Sequence, residues 1–148
     1  MTVYDCTMFF NENDLFEIRL NQHWDFVDKF IVVEAGETHT GIKKPYNFDH
    51  ERFKPYADKI IYRTFDSFDQ AVKDNPQLLD NNTFHDRGGN KTSLDWGRDN
   101  FQANYCHKVL AEIGANDLDI VIHTCCDEIL KKSTVDYCID QIKQVPNK

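Results

Sequence analysis

Several features that mark common protein classes are missing from this chain of 148 residues. Its basic residues form no run longer than the pairs at 43–44 and 131–132, and 25 acidic residues outnumber 17 basic ones. Because a nucleic-acid-binding surface needs a basic face, we expect no nucleic-acid partner. No stretch approaches the roughly 20 apolar residues that cross a bilayer, and the N-terminus lacks a basic segment followed by an apolar one. The sequence therefore predicts no membrane span.

Cysteine spacing and nucleotide-binding motifs give further exclusions. The five cysteines contain no CxxC pair, which argues against a disulfide framework and a four-thiolate zinc site. We expect reduced thiols that mostly fill the core, including the adjacent Cys125 and Cys126 at a strand end. No GxxxxGK[ST] or GxGxxG occurs, so P-loop and dinucleotide-binding Rossmann interpretations are excluded. None of the six histidines shows the HExxH spacing, and each is interpreted as solvated or satisfied by its neighbours.

The residues that are present favour one folded domain over 1–148. Hydrophobic residues make up 41% of the chain, with 11 Phe, 6 Tyr and 2 Trp among them. A chain of this mass buries about 69% of its unfolded surface, which is enough for a sizeable core. The segment at about 74–92 is polar and rich in Gly and Asn, and we interpret it as a mobile surface loop inserted in that domain.

Short β-branched runs predict four strands. The runs at 30–33 and 120–122 do not alternate, which predicts central strands buried on both faces of a parallel sheet. Two further candidates run from Val3 to Phe9 and from Lys59 to Phe65. The second of these alternates more and is expected nearer an edge of the sheet.

Three segments carry apolar residues at helical spacing. The first begins at Asp14-x-x-Glu17, which resembles a capping box. The second runs from about 93 to 113 and ends at Gly114, and the third opens at Ser133. The expected inward-facing residues are Phe16, Leu20, Trp24 and Val27 in the first helix, Phe101, Tyr105, Val109 and Ile113 in the second, and Val135, Ile139 and Ile142 in the third.

The alternation of strands and helices predicts an α/β fold with a mainly parallel sheet and right-handed crossovers. Such sheets bind ligands at the carboxyl ends of their strands. The segments to search are therefore 10–12, 34–36 and 124–128, which directly follow predicted strands.

Three charged residues near these strand ends have a functional and a structural interpretation. Asp127 can hold a hard divalent cation that neutralises a diphosphate, or it can cap the next turn. Glu34 can accept hydrogen bonds from a nucleotide, or it can be an exposed acid at a strand end. Arg98 can pair with a phosphate or with Glu34, or it can form a surface ion pair with a neighbouring aspartate of its helix.

Several ordered blocks together resemble glycosyltransferase family 17, which includes the β-1,4-mannosyl-glycoprotein 4-β-N-acetylglucosaminyltransferases. The blocks are YDCTMFFNENDLFEIRL (4–20), VDKFIVVEA (27–35), THTG (38–41), KP (44–45), RF (52–53), DKII (58–61), WGRDNFQ (96–102), DIVI (119–122) and DEI (127–129). The polar segment 74–92 lies outside the resemblance.

The resemblance implies a GT-A-like, Rossmann-like domain, shortened at its C-terminal side, that uses a UDP-sugar and Mn²⁺ or Mg²⁺. The expected reaction transfers N-acetylglucosamine to a hydroxyl of a glycan or glycoprotein acceptor with inversion. The resemblance identifies no general base. Carried onto this chain, the sugar-nucleotide contacts are expected at Phe10, Asn11, Glu34, Arg98 and Gln102, and the metal ligand at Asp127.

Two departures from the family pattern support alternative interpretations. Cys125 stands where the acidic motif Asp-x-Asp-Glu-Ile has its first Asp, and the chain ends at Lys148, before the usual acceptor-binding half. The first alternative is a truncated or degenerate nucleotide-sugar-binding module, completed by a homo-oligomer or by another chain. The second is an interaction domain that kept only the fold. Animal members of the family are Golgi type II membrane proteins, so a chain without an anchor is expected to be cytoplasmic and of microbial or viral origin.

Overall fold

A parallel sheet flanked by helices organises the chain in the computed structural model, which describes residues 1–79 and 94–144. The predicted α/β, Rossmann-like fold class is confirmed. Most of the polar segment 74–92 lies outside the described residues. The elements are β1 (Val3–Phe9), α1 (Asn13–His23), β2 (Lys29–Ala35), a 3₁₀ helix (Lys54–Tyr56), β3 (Ile60–Phe65), α2 (Phe68–Asp74), a second 3₁₀ helix (Pro76–Leu78), α3 (Leu94–Glu112), β4 (Ile120–His123) and α4 (Lys132–Gln144).

The strand order in the sheet is β3-β2-β1-β4, and every neighbouring pair is parallel. The prediction that 59–65 lies at an edge is confirmed by β3. The prediction that 120–122 forms a central strand is wrong, since among the described strands β4 pairs with β1 alone and Val121 is 41% exposed. A run of three apolar residues is too short to distinguish a strand with two neighbours from a strand with one.

The sheet separates two hydrophobic clusters, and β2 contributes to both. Phe30 and Val32 face the cluster beneath α1 and α4, whereas Ile31 and Val33 face the cluster beneath α2 and α3. Burial of an aliphatic or aromatic side chain of this size stabilises a fold by about 1.5–3 kcal/mol. Two-sided burial explains why 30–33 does not alternate in sequence.

The start of α1 differs from the predicted capping box. Helix α1 begins at Asn13, and neither Asp14 nor Glu17 caps it. Both carboxylates instead accept hydrogen bonds from Arg52, with Nη1 at 2.6 Å from Asp14 and Nε at 2.9 Å from Glu17. The pattern was misleading because acids one turn apart can equally well form a surface ion-pair cluster. The predicted helix was also too long, because α1 ends at His23.

The predicted ends and faces of the other helices are mostly correct. The α3 stripe from Phe101 to Ile113 packs against the sheet. Gly114 has φ 77°, and the hydrogen bonds around it form the expected C-terminal stop. In α4, Val135 and Ile139 pack inward, but Ile142 is 56% exposed, so its predicted inward position is wrong. Residues 141–144 at the end of α4 are all exposed.

The five cysteines are unpaired, as predicted. Cys6, Cys106 and Cys126 are buried and fill the core, whereas Cys125 and Cys138 are exposed. The predicted burial at the strand end is therefore right for Cys126 and wrong for Cys125. No helix in the described ranges is long and apolar enough to cross a membrane.

Candidate functional site

A cleft of about 480 Å³ opens at the carboxyl ends of β1, β2 and β4. This is the edge of the sheet at which the sequence predicts ligand binding. The walls come from the end of β1 with the start of α1, the loop after β2, the turn after β4 and one face of α3. The residues that line it include Phe10, His39, Lys44, Asp99, Gln102 and Asp127.

A buried ion pair fixes the turn after β4, which carries Asp127. Arg19 of α1 and Asp5 of β1 are 0% and 1% exposed, and Arg19 Nε lies 3.1 and 3.0 Å from the two carboxylate oxygens. Arg19 also donates from Nη1 to the carbonyl of Cys125 at 2.6 Å and from Nη2 to Thr124 Oγ1 at 2.7 Å. One guanidinium thus joins α1, β1 and the turn, using the donor geometry that lysine lacks.

His23 connects the same ion pair to the far end of the turn. Its Nδ1 lies 2.7 Å from Asp5 Oδ2, and its Nε2 lies 2.9 Å from the carbonyl oxygen of Leu130. Both oxygens only accept, so each hydrogen bond needs a proton on the ring nitrogen. The segment 124–130 is therefore held at both ends by side chains of α1.

Acid is expected to destabilise the fold through Asp5. Burial raises the pKa of Asp5, but hydrogen bonds from His23 and Arg19 outweigh burial and hold the pKa below its usual value of 3.8. A carboxyl with a lowered pKa contributes stability that is complete above its unfolded pKa and is lost as pH falls through the folded one. The free energy of unfolding should therefore decrease at pH values below about 4. Urea unfolding at a series of pH values measures that decrease.

The direct check is a ¹³C NMR titration of the Asp5 side-chain carboxyl in the folded protein, which should give a midpoint below 3.8. A midpoint at or above that value would remove Asp5 as the cause of any acid sensitivity.

Glu34, the penultimate residue of β2, is fully buried and holds the loop that follows in place. Its Oε1 accepts from Lys44 Nζ at 2.6 Å and from the N–H of Asn47 at 2.7 Å. Its Oε2 accepts from the Tyr62 hydroxyl at 2.7 Å and from the N–H of Phe48 at 3.2 Å. Burial, and then the Glu34 carboxylate, raise the pKa of Tyr62 far above its usual value. Glu34 therefore holds residues 44–48 against the sheet by hydrogen bonds.

Gln102 of α3 bridges the ends of the two central strands. Its amide nitrogen donates to the carbonyl of Val33 at 2.9 Å and to that of Phe9 at 3.4 Å. Its Oε1 lies 2.8 Å from Nε2 of His39. Arg98, one turn earlier, donates from Nη1 to the His39 carbonyl at 3.0 Å. The loop after β2 is therefore attached to α3 through both the ring and the backbone of His39.

Three of the six predicted site residues line the cleft: Phe10, Gln102 and Asp127. The ring of Phe10 is 43% exposed, and Lys44 Nζ lies 5.4 Å from its centroid. Gln102 is only 4% exposed, because its amide is engaged with the strand ends.

The other three predicted residues do not line the cleft. Asn11 is exposed beside it, and Glu34 is buried behind its wall. Arg98 contacts His39 and the face of Phe68, at 5.8 Å from the ring centroid, while Glu34 pairs with Lys44. The role of all six as sugar-nucleotide or metal contacts stays a prediction.

Among the described residues that line the cleft, carboxylates outnumber cationic side chains. The acidic lining residues are Glu12, Glu37, Asp99 and Asp127. The ammonium group of Lys44 already pairs with Glu34. A diphosphate would meet net repulsion here unless a cation accompanied it.

The surroundings of Asp127 determine which kind of cation it can hold. In residues 1–79 and 94–144, no three side chains of ligating type come together as a metal site. Magnesium-type ions commonly bind through one or two carboxylates together with substrate phosphates. A single exposed carboxylate at the strand end fits an ion that arrives with a diphosphate.

The other two residues of the acidic motif cannot serve in the same way. Burial and the nearby carboxylates of Glu128 and Asp99 raise the pKa of the Cys125 thiol, and a neutral thiol is a poor ligand for a hard cation. Glu128 Oε2 accepts a hydrogen bond from the N–H of Cys125 at 2.9 Å, so Glu128 caps the turn. Asp127 remains the carboxylate that the turn presents to the cleft.

Sequence reasoning missed His39, Asp99 and Arg19. Arg19 had a detectable signal, because it stands three residues after Phe16 and four before His23, on the inward face of α1. A charged residue at such a position indicates a buried ion pair. His39 and Asp99 had no local signal, since their segments lie far apart in the chain and meet only in the folded sheet.

The comparisons with known proteins agree with this architecture. The model of glycosyltransferase family 17 matches residues 1–147. Comparisons with curated proteins and with solved structures found no match. Since the family match covers nearly the whole chain and the fold is the α/β arrangement that the resemblance implied, this protein belongs to glycosyltransferase family 17.

Proposed function

We propose that the cleft binds a UDP-sugar and that the protein transfers the sugar, N-acetylglucosamine, to a glycan hydroxyl with inversion. The observation that carries the proposal is the position of the cleft in a family 17 chain. It lies at the carboxyl ends of parallel strands, where α/β sheets bind nucleotides. A volume of about 480 Å³ falls in the range of small-molecule sites.

The lining residues suggest separate roles in donor binding. The exposed ring of Phe10 offers a flat apolar surface on which a base or a sugar ring can stack. Asp127 would hold a divalent cation, which supplies positive charge against the diphosphate of the leaving group. Arg19 and His23 keep Asp127 in place, because they bind both ends of its turn.

A second candidate function is a nucleotide-sugar-binding module that does not catalyse transfer by itself. The observation in its favour is Cys125, whose neutral thiol stands where the family motif has a carboxylate. Such a module would bind the donor and would need a second copy or another chain to supply the acceptor side.

Titration calorimetry with the purified protein tests donor binding. We expect UDP and UDP-N-acetylglucosamine to bind in the presence of Mn²⁺ and to lose most of that binding when a chelator is added. Asp127→Asn should weaken the metal-dependent binding by about 100-fold or more, since even outer-shell partners of a metal are worth about 10–100-fold.

The matched control is Asp117→Asn, the same substitution at an exposed aspartate outside the cleft. It should leave donor binding unchanged. Equal losses of donor binding in the two variants would contradict the role of Asp127. Donor binding that does not depend on the metal would contradict it as well. Metal-dependent binding without sugar transfer to any acceptor would favour the second candidate.

A further inference from the structure

His39 lines the cleft and has one ring nitrogen with no hydrogen-bond partner in the described part of the chain. The ring belongs to the loop after β2 and lines the cleft, with 36% of its side chain exposed. Its Nε2 faces Gln102 at 2.8 Å, whereas its Nδ1 lies 3.6 Å from Asp99 Oδ1. The second distance is too long for a hydrogen bond.

Gln102 determines which nitrogen of His39 carries the proton. The amide nitrogen of Gln102 points at two carbonyl oxygens, those of Val33 and Phe9. Carbonyls only accept, so the NH₂ group must lie on that side and Oε1 must face His39. An oxygen at 2.8 Å requires a proton on Nε2 of His39. In the neutral ring, Nδ1 therefore carries the lone pair, and it lies on the side of Asp99, which also lines the cleft.

We propose that His39 Nδ1 is the general base that accepts the proton of the acceptor hydroxyl. The proposal rests on the proposed transfer reaction and adds the catalytic residue that the sequence did not identify. As the acceptor oxygen forms its bond to the anomeric carbon, its proton passes to Nδ1. The bond from that carbon to the diphosphate oxygen breaks, and its electron pair leaves with the nucleoside diphosphate. The proton is later released to water.

Asp99 stabilises the product of this proton transfer. The imidazolium formed on His39 would lie 3.6 Å from the Asp99 carboxylate, close enough for an ion pair. The hydrogen bond from Arg98 to the His39 carbonyl holds the backbone. The ring of Phe68 packs edge-on against the imidazole at 5.8 Å. A base held on three sides is preorganised for its acceptor.

The other acidic groups of the cleft are less suited to this role. Glu12 accepts from the N–H groups of Phe10 and Asn11, and Glu37 accepts from that of Phe68. These hydrogen bonds tie each carboxylate to the backbone beside it. Asp127 would hold the cation that accompanies the diphosphate. Near neutral pH an imidazole is also a better proton acceptor than an ordinary carboxylate.

The kinetic test measures UDP release from UDP-N-acetylglucosamine, with water alone or with a methyl mannoside as the acceptor. His39→Ala should lower kcat by about 10²–10⁴-fold with little change in the donor KM or in donor affinity by calorimetry. Imidazole added to the buffer should restore part of the lost rate, which a merely structural role would not allow. His107→Ala, an exposed histidine of α3 outside the cleft, is the control and should keep the wild-type rate.

A second measurement tests the geometry without any turnover. Long-range ¹H–¹⁵N NMR spectra of the protein, recorded where the ring is neutral, should show His39 protonated on Nε2. A ring protonated on Nδ1 would overturn the proposal, and so would a His39→Ala variant that keeps kcat or that loses only donor affinity. If the wild-type protein releases no UDP, the proposed function itself is contradicted. If His39→Ala keeps the wild-type turnover, only the role of His39 as general base is contradicted.

Discussion

Arg19→Met is expected to reduce the free energy of unfolding by about 3–5 kcal/mol, the usual cost of removing one partner of a buried ion pair. The methionine keeps much of the volume of the side chain but leaves the buried Asp5 carboxylate with only His23 as a charged partner. It also strips hydrogen bonds from the carbonyl of Cys125 and the hydroxyl of Thr124. Urea unfolding, with the slope compared to that of the wild type, measures the loss.

The matched control is Arg52→Met, because Arg52 pairs with two carboxylates at the surface. Exposed ion pairs contribute little to stability, so this variant should unfold close to the wild-type midpoint. The double variant Asp5→Asn, Arg19→Met should recover part of the loss, since it removes the stranded charge. If Arg19→Met and Arg52→Met lower the free energy of unfolding equally, the buried ion pair is not what mainly stabilises the turn.

The central part of the fold could be predicted because its signals are local. The run at 30–33 is apolar at every position, and β2 is covered on both faces. The stripe of α3 and the stop at Gly114 follow from periodicity and from a positive φ that favours glycine. The predictions that failed depended on contacts between segments that are distant in the sequence. Within the described sheet, β4 has one partner strand instead of two. Arg52 binds both acids of the predicted capping box.

The position of the site could be predicted, but not the atoms that it exposes. Parallel topology places the strand ends at one edge, and the cleft lies there. Whether a side chain at that edge is free depends on its hydrogen-bond partners. The polar atoms of Glu34 and Gln102 are hydrogen-bonded to the loop after β2 and to the strand ends. In the described residues, Nδ1 of His39 has no hydrogen-bond partner. These partners are distant in sequence, so no spacing rule reveals them.

Glu34→Gln separates a bracing role of Glu34 from a direct contact with the nucleotide. The carboxylate accepts four hydrogen bonds, and a glutamine must turn its NH₂ group toward two of the four donors. The ammonium group of Lys44, whose side chain is 8% exposed, would also lose its charged partner. We expect the free energy of unfolding to fall by about 3–5 kcal/mol, and the pKa of Tyr62 to fall toward its usual value.

Urea unfolding and an ultraviolet titration of tyrosine measure these two effects, and Glu51→Gln, an exposed acid outside the cleft, is the control for both. If Glu34 only braces 44–48, stability and donor binding should decline together, because the loop that carries Lys44 loosens as a unit. If Glu34→Gln is as stable as Glu51→Gln but fails to bind UDP in calorimetry, the contact implied by the family resemblance is real. The wall over Glu34 must then open when the donor enters, which makes the loop after β2 the moving part of the site.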